Sequence, residues 1–137
     1  MVCIYCGAKT SVSNSRLQKR SNSIWRRRQC LMCQAIFSTR EVAQYETSWL
    51  VREANNALIP FSRDKLFISI YLSCQHRSRA VIDATDLCDS IINMLSAMHK
   101  GAELHVDTIS KTAYTVLQRF DTAASTHYAA FHHQPAL

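Results

Sequence analysis

Through the second half of the chain, apolar residues recur at helical spacing. Leu66, Phe67, Ile70, Tyr71 and Cys74 form one stripe running to about Gln75, the three-and-four spacing that puts side chains on one helix face. Pro60-Phe61-Ser62 marks its start, with Ser62 placed as N-cap and Asp64 in the first turn, where a carboxylate meets the positive end of the helix dipole. Leu87, Cys88, Ile91, Leu95 and Met98 predict a second helix, beginning near Asp83 or Thr85 and ending at Lys100-Gly101, a cation followed by a C-cap glycine. A third is predicted from Asp107, carrying Ile109, Ala113, Val116, Leu117 and Phe120; a fourth spans residues 121–132 with Ala124, Tyr128 and Phe131. Ahead of these helices, residues 49–52 and 57–59 flank Glu53-Ala54-Asn55-Asn56, which reads as a β-hairpin with an Asn-Asn turn. The second half is therefore expected to be a two-stranded hairpin on a four-helix cluster around one core.

The first third lacks that periodicity. The Ser/Asn-rich centre of residues 14–23 is read as a loop, and residues 24–29 as a strand. Alternation along a strand places Arg26 and Arg28 on one face and Arg27 on the other, beside Ile24 or Trp25. The change of character near Ser48 divides the chain into modules 1–47 and 48–137.

Composition alters this picture little. With 137 residues, 47% hydrophobic and 19% charged, the chain is long enough for one domain or two small ones and unlike a disordered or collagen-like sequence. No apolar run approaches the roughly 20 residues of a membrane helix, and the N-terminus lacks the basic-then-apolar order of a signal peptide; a soluble, cytoplasmic protein is expected. Charge is more informative. All of the net +6 lies in residues 1–47, where eight cations face only Glu41 and Glu46, while residues 48–137 are balanced. A basic module joined to a neutral one suggests a polyanion-binding head.

Cysteines supply the chemistry of that head. Cys3-x-x-Cys6 and Cys30-x-x-Cys33 are two pairs separated by 23 residues, the pattern of a ribbon in which four thiolates surround one structural Zn²⁺. Gly7 follows the first pair and suits a turn with positive φ. Disulfides would need an oxidising compartment, and a thioredoxin-type pair would need a single C-x-x-C at a helix start. So short a module also needs a metal or cross-links to be stable. Three consecutive arginines suit phosphate contacts, because guanidinium donates two parallel hydrogen bonds. Arg16, Lys19, Arg20, Arg26, Arg27 and Arg28 are the candidate nucleic-acid contacts, and Trp25 either stacks on a base or covers the ribbon core.

Cys3-x-x-Cys6-Gly7, Ser15-Arg16, the run from Arg26 to Cys33 and Phe37-Ser38-Thr39-Arg40-Glu41 together resemble the NrdR family of bacterial repressors of ribonucleotide reductase genes. Asn14 stands where that family has Asp, and Trp25 replaces the first of four arginines. The resemblance implies contact with double-stranded promoter DNA by Arg16 and the arginine run. It extends into the second half: Pro60-Phe61-Ser62-Arg63-Asp64-Lys65-Leu66 resembles the Pro-Phe-Asp-Arg-Glu-Lys-Leu of the ATP-cone, and residues 121–132 faintly resemble its last helix. The implied fold class is α+β, a small zinc ribbon followed by a mainly helical ATP-cone-like domain with a short hairpin. The implied effectors are ATP and dATP, and the implied assembly is a homo-oligomer. In the family hairpin a Lys and an Arg face nucleotide phosphates; Glu53 and Ala54 occupy those positions here. Val51, Arg52, Lys65 and Arg77 are the remaining candidates for holding a nucleotide.

Cys74 and Cys88 are expected in the core, and His127, His132 and His133 in a solvated tail. No nucleophile–base arrangement, paired carboxylates or Gly-rich phosphate loop is present, so the chain is read as a regulator, not an enzyme. Two other readings stay open: an RNA-binding or ribosome-associated ribbon with a helical interaction module, and a detached regulatory cone of a reductase.

Overall fold

The computed structural model describes residues 1–132; His133 lies outside them. The chain forms two compact units, Met1–Ala43 and Gln44–Leu137.

The first unit is a three-stranded antiparallel sheet in the order β1-β2-β3, made of β1 (Thr10–Gln18), β2 (Ser23–Cys30) and β3 (Ile36–Val42). Much of the segment read as a loop is strand. Asn14 to Gln18 pair with residues on β2, because the Ser/Asn composition costs little on a strand exposed along its whole length but for Thr10. The true turn is a short 3-10 segment, Lys19–Ser21, closed by Asn22 at φ 43°. Asparagine tolerates this left-handed conformation better than most residues. Only Cys3, Cys30 and Phe37 are buried as a cluster, too little apolar surface to hold such a unit without a cross-link.

The second unit begins with one helical turn, α1 (Tyr45–Ser48), that the apolar pattern did not reveal. Its Tyr45 ring lies 4.5 Å from Trp49, which meets Phe61 edge-on at 5.5 Å. Hairpin strands β4 (Leu50–Arg52) and β5 (Leu58–Pro60) follow, then α2 (Arg63–Ser73), α3 (Ala80–Met98), β6 (Glu103–His105), α4 (Val106–Phe120) and α5 (Thr122–Phe131). The hairpin is not two-stranded on its own: β6 adds in parallel to β4, giving the order β5-β4-β6. Three residues with a single buried side chain, Leu104, leave no alternation to read. Helix α3 starts earlier than its apolar stripe suggested, at Ala80, and ends at Met98 with extended His99 as cap. Gly101 is not a left-handed C-cap; Gly7 is the glycine with positive φ, at 74°. Ile70, Cys74, Leu87, Cys88, Ile91, Leu95, Leu104 and Leu117 form the centre of the core.

Both N-caps at the start of α2 and α5 are made by side chains. Ser62 accepts from the Lys65 amide at 3.2 Å, and Ser62→Ala should cost about 1 kcal/mol in chemical denaturation. Asp121 accepts from the Ala124 amide at 3.0 Å, from His76 at 3.1 Å and from Arg77 at 2.8 Å. These donors, the amide first, hold its carboxyl far below the usual range. A depressed native pKa contributes stability that is fully present above the unfolded value and is lost as pH falls through the native one. Asp121→Asn should therefore flatten the acid side of the melting temperature against pH profile, while the neutral side keeps its shape.

Candidate functional site: a four-cysteine ribbon and a cavity in the helical unit

Each cysteine pair forms a knuckle. The Tyr5 amide donates to Cys3 Sγ at 3.4 Å; the Met32 and Cys33 amides donate to Cys30 Sγ at 3.4 Å each. Gly7 turns the chain after the first knuckle, and Gln34, at φ 61°, does so after the second. Gln34 is held there by a bond from Gln29 at 3.0 Å.

The four sulfurs converge within 4.8 Å of one another, with Cys3 and Cys33 3.7 Å apart and Cys6 and Cys30 3.5 Å apart. Tetrahedral Zn–S bonds of about 2.3 Å require sulfurs about 3.8 Å apart, so the residues fit the ion. Electrostatics agree. Amide donation from Cys33, opposed by burial and assisted by Met32, lowers the Cys30 thiol to about 6. The Ala35 amide favours a Cys33 thiolate, yet the Cys30, Cys6 and Cys3 sulfurs and burial outweigh it and push Cys33 up to about 12. Four thiolates this close cannot all ionise without a cation among them, and a divalent ion supplies that charge. No ligand position is left for solvent by four protein donors, so the site is structural in kind.

The sheet carries the predicted cations on different faces. Arg26 forms an ion pair with Glu41, and Arg28 donates to Thr39 at 3.2 Å and to Thr10 at 3.4 Å. Arg27 projects from the opposite face and is exposed, as is Arg16. Lys19 and Arg20 lie in the turn between β1 and β2. Arg40, not among the candidates from sequence, stands across from Trp25 on β3; only the strand register could have found it.

In the helical unit a cavity of about 260 Å³ opens between the hairpin and helices α2, α4 and α5, lined by Val51, Glu53, Phe61, Lys65, Ile109 and Tyr128. Val51 and Lys65 reach it. Arg52 does not line it: its guanidinium is tied to Glu103 on β6 and to Asn56 Oδ1 at 2.8 Å. Nor does Arg77, which sits at the α2–α3 turn bonded to Asp83 at 2.7 Å and Asp121 at 2.8 Å, 4.4 Å over the Phe120 ring. Among the described residues the cavity lining therefore sets one cation, Lys65, against one carboxylate, Glu53, with His132 also on its wall. His132 is not part of a solvated tail. It meets Ser69 at 2.6 Å and stacks on Tyr128 at 4.1 Å, and burial lowers its pKa. Cys74 and Cys88 are fully buried, as expected.

A three-stranded sheet closed by two facing cysteine knuckles defines the first unit as a zinc ribbon, of the kind found in transcription regulators. The family model described as "Transcriptional repressor NrdR-like, N-terminal domain" matches residues 1–41. Over 131 residues, 95% of this chain, it is 33% identical to "Transcriptional repressor NrdR" of Methylacidiphilum infernorum and 30% identical to that of Maricaulis maris, covering 78% and 80% of those proteins. It is also 33% identical to the repressor of the same name from Bdellovibrio bacteriovorus, over 66% of that protein's length. The chain belongs to the NrdR family of transcriptional repressors. No helix among the described residues is long and apolar enough to cross a membrane.

Proposed function

We propose that the protein is a zinc-dependent, DNA-binding repressor of ribonucleotide reductase genes, acting in the cytoplasm as a homo-oligomer. The observation that carries this reading is a basic ribbon sheet fixed by four converging cysteines, holding all the excess positive charge of the chain. We assign DNA binding to the ribbon unit, Met1–Ala43, and subunit contacts to the helical unit that begins at Gln44. One ribbon offers few phosphate contacts, so useful affinity requires linked copies, whose avidity adds about 10²–10⁴-fold. Among the described residues the cavity sets Lys65 alone against Glu53, so control by ATP or dATP is weakened. In vitro transcription tests the reading: added protein should suppress a reductase promoter and spare an unrelated one. Equal transcription from both promoters at saturating protein would refute it.

A further inference from the structure

The two faces of the ribbon sheet differ in kind. On one, strand register sets Arg16 and Arg40 on either side of Trp25, with Arg27 two residues along β2 between Asn14 and Ser38. All three arginines are exposed and Trp25 is half-buried. Arg40 also donates to Ser23 at 3.0 Å, which braces its stem along this face. None of the strand residues here is acidic. The other face carries the sheet's carboxylate, Glu41, paired with Arg26; the buried Phe37 and Cys30; and Arg28 bonded to hydroxyls on both flanking strands.

We propose that the Trp25 face is the surface that docks duplex DNA. Arg16, Arg27 and Arg40 take phosphates, Trp25 stands in the groove between them, and Arg26 and Arg28 serve the ribbon's own cohesion. This rests on the DNA-binding reading above and refines it. Neighbouring strands lie about 4.8 Å apart, so the backbones bearing Arg16 and Arg40 are separated by roughly 10 Å. That span suits a major groove about 12 Å wide, one arginine toward each lip. Trp25 then offers apolar contact to base edges such as the thymine methyl. Duplex is favoured over single-stranded RNA because Trp25 is the one aromatic on this face, whereas single-strand platforms stack successive bases on several.

The test uses the full chain, a reductase-promoter duplex and a single-stranded RNA of equal length, with fluorescence anisotropy across a salt series and zinc content as the folding control. Arg16→Gln, Arg27→Gln and Arg40→Gln should each lower the log–log salt slope by about 0.9, and Arg26→Gln should leave it unchanged. Trp25→Leu should weaken duplex binding about ten-fold with the slope intact. The face assignment is overturned if Arg26→Gln matches Arg27→Gln, or if Trp25→Leu binds like wild type. Tighter binding to the RNA through the same residues would overturn the choice of duplex. Absence of any duplex binding by the wild type would instead sink the DNA reading itself.

Discussion

Cys30→Ser should unfold the ribbon and release its metal while the helical unit keeps its cooperative transition. The ribbon buries a cluster of only Cys3, Cys30 and Phe37, so apolar burial cannot offset the entropy of ordering about forty residues. A structural zinc site is worth about 10–16 kcal/mol apparent in peptides of this size, and that term decides the outcome. Cys30 is the informative position. It is buried, accepts two amides and is the thiol lowered to about 6, whereas serine offers a hydroxyl that stays protonated. The second unit has its own core around Ile70, Ile91, Leu95 and Leu117, which the substitution does not touch. Elemental analysis should give one zinc per wild-type chain and none in the variant, with β-sheet amide dispersion lost in residues 1–43. Metal-free, reduced protein with that dispersion intact would show that the four sulfurs do not hold the ribbon.

Adenine nucleotides should bind the wild-type protein weakly or not at all. Glu53 lines the cavity, and a carboxylate near a triphosphate costs about 1–4 kcal/mol at close range and intermediate dielectric. Arg52 would have to leave Glu103 and Asn56 Oδ1 to take over. Glu53→Lys removes the repulsion and adds a cation where the family has one. Combined with Ala54→Arg at the exposed hairpin tip, it should strengthen ATP or dATP binding, each well-made contact giving about 1.5–3 kcal/mol, or roughly 10–150-fold. The fold should persist, since Val51, Leu66 and Leu117 remain packed. Calorimetry decides it. Micromolar binding by the wild type would show that Lys65 suffices and that nucleotide control is retained.

What was legible in the sequence follows from how local each signal is. The metal site was readable because its ligands occupy two short motifs, and the helices because Leu66, Ile91 and Leu117 repeat at helical spacing. Strand β6 was hidden because its pairing with β4 is a contact across some fifty residues with a single buried side chain. The ends of α3 were misplaced because Arg79 and His99, neither a strong capping residue, close it. The roles of Arg52 and Arg77 were hidden for the same reason as the face of Arg40: a cation's partner depends on register and packing. Glu103 claims Arg52, and Asp83 and Asp121 claim Arg77.

The central claim is that a metal-held basic ribbon binds reductase promoter DNA. Its most direct test is the affinity of the full chain for that duplex before chelation, after zinc removal under reducing conditions, and after zinc is restored. Binding should be steeply salt-dependent, lost on chelation and recovered with zinc. Equal affinity in the stripped and loaded protein would contradict the account.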